Sequence, residues 1–333
     1  MFKLSFSSTV ALAAVAIGGL VACGSLSTTS QNEIVELDFG ILSTETQASQ
    51  KPLWEPFVEA IGQCVGLPVN AVYATQYSGL IEAMRFGDLE LAWYGGKSYI
   101  EAARIAGAEA FAQTVSADGS RGYYGHLITY KDHPMLEEID LEAQNGDEYV
   151  IANASELAFA FIDPNSTSGF LVPSYYVFGQ NGVNPNTAFE NLIFAGNHEA
   201  ATLSVANAHL DVAATNSEAL QRIALANPEI LEKIQIIWTS PIIPGEPIAY
   251  RQDLPEDLKA TIRTCFHNFD DPSILNPLQW SALEPADDSR WDTIRELDLA
   301  KQILEVENSA TREEVKARQL AELNAELEAL GQK

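Results

Sequence analysis

The sequence predicts an α/β protein built as two lobes with parallel-rich sheets and a C-terminal helical tail. Three observations carry that prediction. Short apolar runs alternate with segments whose apolar residues recur at helical spacing, the pattern of βαβ units. The alternation occurs in two series, separated by an acid-rich stretch at 132–156 that reads as a surface excursion. From Trp291 onward Ala, Glu, Leu, Gln, Lys and Arg dominate, and these are good helix formers.

The first series opens with ELDFGIL (36–42) as a strand and QKPLWEPFVEAIGQCVG (50–66) as a helix. PVNAVYA (68–74) and LELAWY (89–94) are the next strands, each followed by a helix, SGLIEAMRFG (78–87) and KSYIEAARIAG (97–107). AEAFAQTVS (108–116) comes next, and GYYGHLITYK (122–131) reads as the connection to the second lobe. The second series has strands at 157–162, 192–196, 210–215 and 233–240, with helices between them. PIIPGEPIAY (241–250) is the expected return crossing. The organisation is therefore residues 35–122 and 245–333 in one lobe and 123–244 in the other. In the tail, Leu320, Leu323, Leu327 and Leu330 form an amphipathic stripe. It either packs on its own lobe or makes a homodimer contact.

The N-terminus reads as an export signal over residues 1–22. Lys3 supplies a cationic end, and the apolar region 10–21 is shorter than the about 20 residues of a membrane span. Leu20-Val21-Ala22-Cys23 resembles a bacterial lipobox, so Cys23 is the expected lipidated N-terminus and 23–34 a flexible tether. An ordinary secretory signal cut nearby is the plainer alternative. Either way the mature chain works outside the cytoplasmic membrane, in the periplasm or on the outer face of that membrane. Cys64 and Cys265 then sit in a compartment that permits a disulfide, but their positions do not imply one; two separate buried thiols are the expectation.

Of the 333 residues, 47% are hydrophobic and 9% aromatic, enough for a sizeable core. With 19 Lys+Arg against 46 Asp+Glu the net charge is -27, which repels nucleic acid and anionic lipid. An anion could be held here only by local, oriented donors. Two suggestive motifs fail. WYGGKS (93–98) ends like a phosphate-binding loop, but Leu91 stands where the first glycine is required. HEAAT (198–202) begins like a zinc-protease helix, but Thr202 replaces the second histidine. No enzyme of a common class, no metal and no cofactor is predicted.

DPNSTSGF (163–170) is the informative string: a strand, a proline turn, three hydroxyls and a glycine, then a helix. The first N–H groups of a helix lack internal partners and carry about half a positive charge. Ser166, Thr167 and Ser168 place hydroxyls beside those amides, and Gly169 allows close approach. Such a cup of neutral donors suits a tetrahedral oxyanion, at the carboxyl end of a strand where α/β folds bind ligands. A single hydroxyl would be explained as an N-cap. TQYSGLIEAM (75–84) offers a similar helix start with Tyr77 and Ser78, and Tyr123 and Tyr124 lie by the crossing.

QYSGLIEAMRFG, LELAWYGGKSYIEAA, AEAFAQTVSADGSRGYY, DPNSTSGFLVPSYYVF, HEAATLSVAN, VAATNSEAL and SPIIPGEP together resemble the phosphonate-binding proteins of bacterial ABC importers, a family with phosphite- and phosphate-binding members. The likeness runs from about residue 39 to 269. It implies the two-lobed type II periplasmic-binding-protein fold, a membrane permease as partner, and no catalysis. By the family pattern Ser166, Thr167 and Ser168 hold the phosphonate oxygens, joined by Tyr77, His198 and Tyr124 in preference to Tyr123. Glu218 and Glu246 match the acids that face the amine of aminoalkylphosphonates; Glu246 stands where the family has aspartate, one methylene shorter. Taken alone, Glu218 is an ordinary acid of a helix first turn, whereas His198, at a helix start next to hydroxyls, could donate to an oxyanion, with a solvent-facing or core histidine as the plainer alternative. Two carboxylates near a dianion need a cation between them, so 2-aminoethylphosphonate is the leading ligand. Phosphite, methylphosphonate or phosphate is the alternative cargo, and a sensor lipoprotein or an enzyme using His198 with Ser166 or Ser168 the alternative use of the fold. Trp93 and Tyr94 either wall the cleft or end a buried strand.

Overall fold

The computed structural model describes residues 34–332. The export signal and Cys23 lie outside the described residues. In chain order the strands are β1 (Leu37–Ile41), β2 (Val69–Tyr73), β3 (Leu91–Trp93), β4 (Ala108–Ser116), β5 (Gly122–Tyr123), β6 (Gly125–Tyr130), β7 (Ala158–Phe161), β8 (Asn191–Phe194), β9 (Val212–Asn216), β10 (Ile234–Thr239), β11 (Ile243–Pro244), β12 (Pro247–Arg251) and β13 (Trp280–Pro285). They form a six-stranded sheet, β13-β4-β12-β3-β1-β2, and a five-stranded sheet, β10-β6-β9-β7-β8. The short ribbon of β5 and β11 lies where the chain passes from one sheet to the other and back.

The two-lobed α/β class stands, but the sheets are mixed. Four pairings in the two sheets are parallel and five antiparallel. The reason is the double crossing. Strands of a βαβ series all leave their sheet at the cleft end. A strand arriving from the other lobe enters at that end and must run the opposite way. Thus β12 is wedged antiparallel between β3 and β4, and β6 antiparallel between β9 and β10. Residues 122–131 are accordingly ribbon and sheet rather than a bare connection. The polar excursion at 132–156 is partly ordered by a helix at Gly146–Ala152, and Met135, Val150 and Ala154 within it are buried.

The first lobe closes around an aromatic cluster of Phe39, Trp54, Phe57, Trp93, Phe266 and Trp280, with ring centroids 4.8 to 6.3 Å apart. Each well-placed pair is worth roughly 0.5–1.5 kcal/mol beyond simple burial. Phe159, Phe161, Phe178 and Phe189 fill the same role in the second lobe.

One expectation is overturned here. Cys64 and Cys265 form a disulfide, with Cα atoms 5.7 Å apart and a separation of 201 positions in sequence. It ties the Gln47–Val65 helix to the Glu256–His267 helix. The expected return of the chain puts both cysteines in the first lobe, but only the packing of their two helices sets them side by side, and the sequence does not show that packing. Closing so long a loop restricts the unfolded chain. The double variant Cys64→Ser/Cys265→Ser is expected to lose about 2–5 kcal/mol, lowering Tm by about 5–15 °C. An unchanged Tm, by calorimetry of variant and wild type, would show that the bond contributes nothing.

The helix Asp292–Glu307 runs against both lobes: Lys97 of the first pairs with Asp298 at 2.6 Å, and Lys301 lies 5.0 Å from the ring of Phe170 in the second. The Glu313–Leu330 helix packs on it, with all four leucines of the amphipathic stripe half-buried. The stripe is thus occupied within the chain, and nothing in it calls for a second copy.

Candidate functional site

DPNSTSGF begins where β7 ends. The Asp163 carboxylate accepts from the Asn165 N–H at 2.8 Å, and the Asp163 carbonyl accepts from the Ser166 N–H at 2.8 Å. Ser166 Oγ then accepts from the Gly169 N–H at 3.1 Å, so Ser166 is the cap the plain reading asked for. The segment it caps is no ordinary helix. Thr167–Leu171 is a π-helical turn, with the Leu171 N–H donating to the Ser166 carbonyl at 3.0 Å. Wide turns of this kind are frequent at functional sites. Gly169 is required because any Cβ there would run into Ile162.

The three hydroxyls are buried and face different partners. Ser166 meets the hydroxyl of Tyr77, which opens the Tyr77–Phe86 helix of the first lobe. Thr167 Oγ1 accepts from the Lys97 N–H at 2.9 Å, at the start of the Gly96–Ala106 helix of that same lobe. Ser168 Oγ accepts from Asn216 Nδ2 at 3.2 Å and meets Tyr123. Gly95 matters for the Thr167 contact, since a Cβ there would stand 3.3 Å from Thr167 Oγ1.

Other bonds also span the cleft. The His198 N–H donates to the Thr44 carbonyl at 2.8 Å, and Thr46 N–H and Ser49 Oγ both donate to Glu199 at 2.8 Å. Arg222 Nε donates to Glu45 Oε1 at 2.9 Å, and Ser116 Oγ to Glu218 Oε1 at 2.5 Å. The lobes are closed on one another, with helix starts from both meeting at one place.

His198 lies in this cluster, fully buried. Its Nε2 accepts from Asn216 Nδ2 at 3.2 Å, and its Nδ1 lies 3.3 Å from Thr215 Oγ1. Burial, helped by the charge of Arg222, lowers its pKa to about 3, so the ring is neutral. In this arrangement the proton sits on Nδ1, and donation to a ligand oxygen requires the other tautomer.

Glu218 and Glu246 come together although 28 positions separate them in sequence. Each has one carboxylate oxygen, Oε2, buried without a hydrogen-bond partner. Burial raises both pKa values, and each carboxylate sits in a field of other acids: Asp118 and Glu45 act on Glu218, while Glu218 and Glu45 act on Glu246. Tyr77 and Tyr123 stand between these acids and the serines; burial pushes both phenols up, and Glu246 adds to the effect.

One expected residue gives way to its neighbour. Tyr123 is buried and touches Ser168, whereas Tyr124 is 40% exposed. Adjacent residues of an extended chain point opposite ways. Pairing of Tyr123 with Ile243 in the crossing ribbon decides which one faces in. Tyr94 is buried in the first lobe, its hydroxyl 3.5 Å from the Leu80 carbonyl, and ends a core strand. Trp93 does both jobs: its ring packs on Trp54, and its indole N–H is directed at Glu246 without reaching good hydrogen-bond geometry. The sequence reading missed Glu45, Ser116, Asn216 and Arg222. Only Arg222 left a signal, four residues after Glu218 on the Ser217–Ala226 helix.

Mixed sheets crossed twice, with neutral donors of both lobes gathered in a closed cleft, define a two-lobed solute receptor of the type II periplasmic-binding-protein class. Residues 39–291 match the family model described as ABC transporter, phosphonate, periplasmic substrate-binding protein. The chain belongs to that family. It is 40% identical over 299 residues to the phosphonates-binding periplasmic protein of Escherichia coli K12, covering 88% of this chain and 85% of that one. It also matches the crystal structure of a binding protein component of an ABC phosphonate transporter from Pseudomonas aeruginosa, with TM-score 0.84, 40% identity, and 89% and 97% of the two chains covered. The fold is shared with PhnD1 of Prochlorococcus marinus in complex with methylphosphonate, at TM-score 0.69 and 21% identity over 79% and 97% of the chains. Proteins of this family are transport receptors and not enzymes. Among the described residues no helix is long and apolar enough to cross a membrane.

Proposed function

We propose that this receptor captures an aminoalkylphosphonate, with 2-aminoethylphosphonate as the lead, and delivers it to an ABC permease. Residues 35–122 with 245–333 form one jaw and 123–244 the other, moving about the β5/β11 ribbon. The observation that carries the ligand assignment is the pair of buried oxygens without a hydrogen-bond partner, Glu218 Oε2 and Glu246 Oε2, whose charges act on the phenols of Tyr77 and Tyr123, which in turn meet Ser166 and Ser168. Hydroxyls and helix N–H groups satisfy a phosphonate head without full positive charge. Two buried carboxylates are costly beside that dianion unless a cation separates them. A primary ammonium has three donors to share between two carboxylates and suits both demands. In this reading the phosphonate is held by Ser166, Thr167, Ser168, Tyr77, Tyr123 and His198. Anchoring through a lipid on Cys23 would keep the receptor at the membrane beside the permease.

Calorimetry with 2-aminoethylphosphonate, methylphosphonate, phosphite and phosphate is the direct test. The aminated ligand should bind tightest. Tighter binding of methylphosphonate or phosphite would remove the role assigned to the acid pair and favour the simpler cargo.

A further inference from the structure

The cleft holds a charge that the phosphonate reading does not use. Arg222 is 3% exposed, on the Ser217–Ala226 helix of the second lobe. Its Nε reaches across the cleft to Glu45 at 2.9 Å, and its Nη1 stands 3.8 Å from Glu218 Oε2. Nη1 and Nη2 are buried with no hydrogen-bond partner, and the guanidinium carbon lies 5.7 Å from the Trp93 ring. On the far side Glu45 is held in place, accepting from Thr44 Oγ1 at 2.6 Å; Thr44 Oγ1 in turn accepts from buried Gln50 at 3.1 Å. A chain of contacts thus runs from the first lobe to the acid pair.

We propose that Arg222, tied across the cleft to Glu45, is the specificity-positioning residue of this receptor: it supplies the counter-charge that lets Glu218 and Glu246 face the ligand together as carboxylates. The inference rests on the aminoalkylphosphonate reading above. Without Arg222, three acids would share a buried site, and like charges in low dielectric shed charge by taking up protons. A protonated acid is a poor partner for an ammonium. Burial first, then Glu218 acting on Glu246 and Glu45 acting on both, push the two acids above the usual carboxylate range; Arg222 opposes that shift at both, and the ligand's ammonium supplies the remaining counter-charge. The other groups facing the pair are Asp118, beyond β4, which acts against ionisation of Glu218, and the neutral phenols of Tyr77 and Tyr123. The anchor matters as much as the charge. Held by Glu45, the guanidinium stays 3.8 Å from Glu218 and leaves that carboxylate for the ligand.

The test is calorimetry of wild type, Arg222→Met, Arg222→Lys and Glu45→Gln with 2-aminoethylphosphonate and methylphosphonate at pH 6.5 and 9. Variant-to-wild-type ratios at each pH cancel the ligands' own ionisation. Arg222→Met should lose about 30- to 1,000-fold for the aminated ligand at pH 6.5, much less at pH 9, and little for methylphosphonate at either. Arg222→Lys should restore most of the loss. Glu45→Gln should weaken the aminated ligand by about tenfold, because the released guanidinium turns to Glu218. Equal losses for both ligands at both pH values would make Arg222 a purely structural latch and overturn the proposal. If Arg222→Met binds neither ligand, Glu45→Gln decides: an unchanged preference for the amine overturns the proposal. A wild type with no preference for the amine would instead sink the underlying ligand reading.

Discussion

Replacing Glu218 or Glu246 by glutamine should weaken 2-aminoethylphosphonate by about 30- to 1,000-fold and leave methylphosphonate unchanged or a few-fold tighter. The asymmetry follows from where the charges lie. Both carboxylates are buried, so each contact to an ammonium is a charge-assisted bond in low dielectric. Removing one partner of such a bond costs about 2–4 kcal/mol. Methylphosphonate has no cation to offer, and for it the same carboxylates are only repulsive and undersatisfied. Glutamine keeps the shape and removes the charge. The two positions need not respond equally. Glu218 is also bonded to Ser116 across the cleft, so its replacement loosens closure as well. Glu246 has no hydrogen bond to its free oxygen and should give the cleaner switch. Parallel titrations with the two ligands decide the matter; a loss shared equally by both would deny these acids any contact with an amine.

Ser166→Ala should weaken every phosphonate to the same degree, by about 30- to 300-fold. Ser166 has two tasks. As cap of the π-helical turn it accepts the Gly169 N–H at 3.1 Å, and loss of a cap costs about 1 kcal/mol of local stability. It is also one of the buried hydroxyls beside Tyr77, and a lost donor to an oxyanion costs about 1.5–3 kcal/mol. Both losses fall on the phosphonate head, so selectivity for the amine should not change. Thermal unfolding of the ligand-free variant separates the cap from the donor: a small Tm shift with a large affinity loss assigns the hydroxyl to the ligand. If affinity instead tracks stability, Ser166 is a cap alone.

The acid substitutions and Ser166→Ala probe the parts of the site that differ most in how far the chain alone reveals them. The hydroxyl string could be seen in the chain because its ingredients are local: a strand end, a proline turn, three hydroxyls and a glycine within eight residues. The acid pair entered only through likeness to a family, since Glu218 by itself is an ordinary helix-start acid. Arg222 and Glu45 were not seen. They are 177 positions apart, and each lies in a helix–loop context that predicts exposure.

Sequence alone settled what depends on neighbours in the chain. Apolar periodicity set the alternation of strands and helices, and the missing glycine and histidine ruled out a nucleotide loop and a zinc helix. Tertiary structure decided everything that depends on the chain's double passage between lobes. Pairing of β5 with β11 turned Tyr123 inward and Tyr124 outward. The packing of two helices set Cys265 beside Cys64, and the return of the chain wedged β12 against the direction of its neighbours. Closure set a buried arginine between acids drawn from both lobes. The physical reason is common to all of these. Local conformation is governed by side-chain sterics and hydrogen bonds within a few residues, whereas side-chain facing, disulfide partners and the charge of a cleft are fixed by groups that only folding makes neighbours.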